Sequence, residues 1–146
     1  MKRRQTVPRQ WLIVMADEDV SSAARLPRGS GVLLLACLSA GAQRRLRSLA
    51  RLRDLRVASD ESAARVHNLG ELRRALLART PLVLLSPIHP TTTHPGWVPI
   101  PRMRAAALTR LAKRRLLALG GMNPKRYAAV ERLGFIGWAG ISAFRT

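Results

Sequence analysis

Short unbroken apolar runs alternate along the chain with longer segments in which apolar residues recur every three or four positions. The first run, Trp11-Leu12-Ile13-Val14-Met15, stops at the acidic turn Asp17-Glu18-Asp19. A run of this length without polar alternation predicts a strand buried on both faces, as in a parallel sheet. Residues 32–36, 55–58, 82–85, 116–119 and 135–140 predict five more strands. Helical patterns lie between them. Residues 43–53 put Leu46, Leu49 and Leu52 at helical spacing, with Arg44, Arg45, Arg47 and Arg51 mostly turned outward. Residues 69–78 follow Asn68, a side chain suited to an N-cap, and turn Leu72, Ala75 and Leu76 inward. Residues 103–115 predict a third helix. The fourth, 124–133, opens on Asn123-Pro124, a cap followed by proline in the first turn, and closes at Gly134. Shorter helical pieces are predicted at 21–25 and 141–144.

Strand followed by helix, about six times over, predicts parallel βα units. A closed (β/α)8 barrel takes about 250 residues, and about 200 at the low end. A chain of 146 residues holds fewer units. The expected α/β fold is therefore a TIM-barrel-type (β/α)8 architecture truncated to about six units, or an open doubly wound sheet. Residues 1–10, basic and proline-punctuated, are expected to form a flexible arm ahead of one domain over 11–146.

Composition narrows the class. Apolar residues make up 47%, enough for a core. The longest apolar run, 32–38, is too short to cross a bilayer. Lys2-Arg3-Arg4 is followed by Gln, Thr and Pro rather than a secretory apolar stretch, so a cytoplasmic location is expected and no membrane partner. The single cysteine, Cys37, excludes a disulfide framework, and its place by a buried strand predicts packing. The net charge is +18, carried by arginine more than lysine. Such a charge arises from base composition or serves a nucleic-acid partner. The basic residues are spread over several segments and aromatic residues are only 4%, so nucleic acid is not the expected partner.

In either architecture the strand C-terminal ends carry function. The fourth predicted strand leads into Ser86-Pro87-Ile88-His89-Pro90-Thr91-Thr92-Thr93-His94-Pro95-Gly96, the fifth into Gly120-Gly121-Met122-Asn123-Pro124, and the last into Gly140-Ile141-Ser142. Glycines let a backbone approach a phosphate, a helix N-terminus adds free N–H donors, and threonine hydroxyls add more. His94 adds charge when protonated. The plainer alternative is a turn at Gly120-Gly121 and a rigid connector at 86–101.

These loops resemble those of thiamine phosphate synthases. The residues from Ser86 to Gly96 are similar to the family's S-P-x-F-P-T-x-[ST]-[KH]-x-G loop, and Leu119-Gly-Gly-Met-Asn-Pro124 to its I-G-G-[IM]-x-P loop. Gly134-Phe-Ile-Gly-Trp-Ala-Gly-Ile-Ser-Ala143 resembles its G-A-x-G-x-A-x-[IV]-S-A strand, and Val66-His67-Asn68 with Glu71 its S-V-H-N-x-x-E-[AL] segment. The four occur in family order over 65–144. The resemblance implies a (β/α)8 barrel joining an aminopyrimidine diphosphate to a thiazole phosphate with magnesium. It assigns phosphate binding to Thr91, Thr93, His94, Gly120, Gly121, Ile141 and Ser142. Ser86 would line the pocket.

The departures are as informative. The family's Q-x-R-x-K diphosphate grip falls on Leu33-Leu-Leu-Ala-Cys-Leu-Ser39, which carries no charge. Its third-strand N-D is represented by Ser59-Asp60, which leaves Asp60 as the one magnesium ligand expected. Its H-L-x-Q-x-D motif has no counterpart: only five residues separate Asp60 from Val66, so the unit with the fourth strand is read as deleted. A diphosphate leaving group needs magnesium or basic groups to neutralise it. The expected activity is the transfer reaction. The alternatives are a catalytically impaired protein that binds thiazole phosphate or thiamine phosphate, a thiazole tautomerase, or a nucleic-acid binder. His67, His89 and His94 show no ligand-spaced company for zinc, and Asp17, Glu18 and Asp19 are read as an exposed turn. A homodimer is expected to cover the edges a shortened sheet leaves open.

Overall fold

The computed structural model describes residues 7–92 and 94–144. Seven parallel strands form one sheet: β1 (Gln10–Val14), β2 (Gly31–Leu34), β3 (Arg56–Ser59), β4 (Ala63–Val66), β5 (Leu82–Leu85), β6 (Leu116–Ala118) and β7 (Gly137–Gly140). Their spatial order is β3-β2-β1-β7-β6-β5-β4. The last strand thus returns beside the first, as in a TIM barrel, and the sheet is open only between β3 and β4. Four helices join the strands: α1 (Ala40–Arg53), α2 (Leu69–Leu77), α3 (Arg102–Leu111) and α4 (Pro124–Val130).

The sheet curls far enough for residues of all seven strands to meet inside it. Trp11, Ile13, Leu33, Leu82, Leu84, Leu117 and Ala139 form one buried cluster, with Ala58 and Ala63 packed against it. Trp11 is fully buried, and its indole lies where a side chain at Gly31 would stand. Two outer layers complete the core. The 3-10 segment Asp17–Arg25 and α1 cover β1 and β2, and α2, α3 and α4 cover β4 to β7.

Six of the strands match the sequence reading and β4 is additional. It is joined to β3 by a single 3-10 turn, Asp60–Ser62, with no helix. Parallel strands ordinarily need a crossover of about a dozen residues. Here β3 pairs only with β2 and β4 only with β5, so the two are successive stretches of chain at the seam rather than paired neighbours, and three residues suffice. The open seam falls where the missing unit was expected.

Three expectations need correction. Residues 8–10 are not part of a free arm. Pro8 is buried and accepts the Trp11 indole N–H at 2.9 Å, and the Arg9 carbonyl accepts the Trp138 amide at 2.8 Å. Residues 1–6 lie outside the described ones. The acidic turn belongs to the 3-10 segment, and Asp19 is buried because its carboxylate accepts the amides of Met15 and Ala16 at 3.0 and 3.1 Å. Cys37 is exposed, because β2 ends at Leu34 and the cysteine falls in the loop beyond it.

Candidate anion-binding loops

The double glycine sits between the β5 loop and the end of β7. Ile88 and His89 donate their amides to the carbonyls of Leu119 and Gly120 at 3.0 and 3.1 Å, so the two loops run together. Gly120 (φ +102°) and Gly121 (φ +59°) both occupy the left-handed region. A Cβ on Gly120 would lie 2.9 Å from the Pro87 Cα, and one on Gly121 would collide with the Pro90 carbonyl. On the other side, a Cβ on Gly140 would stand 3.4 Å from the Met122 carbonyl. Glycine is thus required at 120 and 121 by packing, whatever the loop binds. Ser86, at the root of the β5 loop, is buried.

The same geometry leaves donors available. Among the described residues, no protein acceptor takes the amides of Gly120, Gly121 or Met122. Asn123 then caps α4 by accepting the Arg126 amide at 2.8 Å, and the Arg126 guanidinium donates to the Gly121 carbonyl at 2.5 Å. Unpaired N–H groups and a guanidinium on one loop favour an anion. Beside them His89 has a buried Nε2 with no partner. Burial holds its pKa below the ordinary value, helped by the charges of Arg126 and Arg102, so the ring is neutral near pH 7.

The other predicted residues divide. Thr91 is half-buried in the β5 loop, and Thr93 lies outside the described residues. Ile141 directly follows β7, and Ser142 opens the 3-10 turn Ser142–Phe144. His94 joins an aromatic cluster. Its ring stacks on Trp97 at 3.9 Å, and Trp97 meets His67 edge-on at 5.1 Å. His67 in turn has company that the sequence reading missed. Its Nδ1 and amide both lie 2.9 Å from the Glu71 carboxylate, which this bonding holds below the usual carboxylate range. The signal was Asn68 followed three residues later by Glu71, a capping spacing that brings the Glu71 carboxylate back to the chain ahead of α2.

Asp60 lies at the seam, exposed on the turn between β3 and β4. Among the described residues no three His, Cys, Asp or Glu side chains come together to hold an ion. Asp60 therefore belongs to no such cluster. Two cavities lie away from the glycine loop. One, of about 390 Å³, runs along β3 at the seam. The other, of about 500 Å³, shares Pro81 with the first and lies where β5, β6 and β7 begin, by Thr80, Arg115 and Ile136.

The chain resembles a solved thiamine phosphate pyrophosphorylase from Pyrococcus furiosus. The superposition has a TM-score of 0.73 and covers 97% of this chain and 89% of the other, at 16% sequence identity. The likeness is one of fold. No family model matches the chain, and no curated protein matches it by sequence. No helix among the described residues is long and apolar enough to cross a membrane.

Proposed function

We propose that the chain binds a phosphorylated small molecule, a thiazole phosphate or thiamine phosphate, at the loops that follow β6 and β7. The observation that carries this reading is the set of unpaired amides at Gly120, Gly121 and Met122, flanked by Arg126. Phosphate held by the loops after the last two strands is a recurrent barrel arrangement. The fold of the Pyrococcus furiosus pyrophosphorylase and the four loop motifs favour a thiamine-related ligand over other phosphates.

Binding is better supported than transfer. The stretch expected to grip a diphosphate carries no charge, and Asp60 belongs to no ligand cluster. The test is calorimetric titration of the purified chain with thiazole phosphate and thiamine phosphate. Saturable binding that weakens about tenfold in Arg126→Gln, the loss of one charge-assisted contact, is the expected result. Binding unchanged in that variant and in Gly121→Val would overturn the site. Incubation with both substrates of the transfer reaction and magnesium separates the two readings. Product formation abolished by Asp60→Ala would restore the transferase.

A further inference from the structure

The free edge of β3 has hydrogen-bonding groups without partners. The Arg56 amide donates to the Ser30 carbonyl at 3.0 Å, so the backbone groups of Arg56 and Ala58 face β2. Successive residues alternate along a strand. The N–H and C=O of Val57 and the N–H of Ser59 therefore face away from β2, where the sheet order ends. On that side runs the cavity of about 390 Å³. Val57 and Ser59 line one wall, and Pro81 and Leu82, at the start of β5, line the other. Unpaired edges of this kind accept added strands.

We infer that this slot takes a single extended segment of another protein, added as a strand to β3. The charges flanking the slot describe the segment. Arg56 is exposed at one end, and Asp60 and Glu61 at the other. The segment that fits carries a carboxylate at the Arg56 end, a cation at the Asp60 end, and β-branched residues between. A second copy of this chain does not fit. Its β3 would arrive with β2 already paired behind it, where Pro81 and Leu82 stand. The inference is independent of the phosphate reading, because the slot shares no residue with the glycine loop.

The test uses the full chain and two fluorescein-labelled peptides, Glu-Val-Thr-Val-Lys-amide and its reverse Lys-Val-Thr-Val-Glu-amide, followed by anisotropy. The pair covers both strand directions, so one is expected to bind saturably. Val57→Pro removes an N–H that faces the slot and not β2, which an edge strand tolerates. It is expected to weaken binding by about tenfold, the loss of one hydrogen bond with its partner left unpaired. Val57→Thr keeps the donor and binds like the parent. Should Val57→Pro fail to fold, Ser62→Trp fills the slot from the side and is expected to abolish binding. Absence of saturable binding by both peptides, or binding unaltered in either blocking variant, overturns the inference. So does a dimer in sedimentation that Val57→Pro dissociates, because the occupant would then be a second copy.

Discussion

At the scale of single residues, the glycine loop shows why one sequence signal supports two readings. Gly120 and Gly121 stand out in the sequence as parts of a phosphate loop. What they touch, Pro87 and Pro90, comes from some thirty residues earlier and is invisible until the loops are superposed in space. Gly121→Ala is expected to cost about 1–3 kcal/mol, because the alanine must hold a left-handed backbone against the Pro90 carbonyl. Urea unfolding of the variant measures it. His89 sets a pH dependence. Its pKa is lowered in the folded state, so the unfolded chain binds the proton first as the pH falls through about 6.5. Stability should fall below that pH, and His89→Leu should flatten this part of the profile in thermal melts. The histidine that the sequence does single out, His94, stacks on Trp97.

At the scale of elements, the start of α2 is held by two reciprocal contacts. Asn68 accepts the Glu71 amide at 2.9 Å, and Glu71 accepts the His67 amide at 2.9 Å. Asn68→Ala should cost about 1 kcal/mol, read from chemical denaturation. Glu71 has a lowered pKa, principally through its hydrogen bond to His67. Its contribution is present above the ordinary carboxylate range and is lost as the pH falls through the lowered value. Glu71→Gln should therefore lose acid dependence on that limb, followed by circular dichroism. The cap was legible because Asn68 precedes a clean helical pattern. β4 was not, because Ala63-Ala64-Arg65-Val66 has neither an apolar run nor strict alternation. It is a strand because β5, apolar throughout and buried, offers it an edge. The acidic turn misled for a related reason: Asp19 looks like a solvated charge until its carboxylate is seen closing the backbone behind β1.

At the scale of the whole molecule, chain length proved more legible than charge. The count of residues against a full barrel announced a missing unit, and the seam between β3 and β4 is where it is missing. Magnesium should leave the melting temperature unchanged, since a ligand that binds the native state raises it and the described donors form no cluster. A rise in scanning calorimetry would contradict that. The pairing of β7 with β1 has one more consequence. Read from β4 round to β3, the spatial order becomes β4, β5, β6, β7, β1, β2, β3, so each strand lies next to its successor in a chain cut at the Asp60–Ser62 turn and rejoined end to end. The one pairing that now bridges opposite ends of the sequence would become local. Chains dominated by local contacts fold faster. The circular permutant should reach its native fold sooner than the parent in stopped-flow refolding, with the same seam now serving as its two ends.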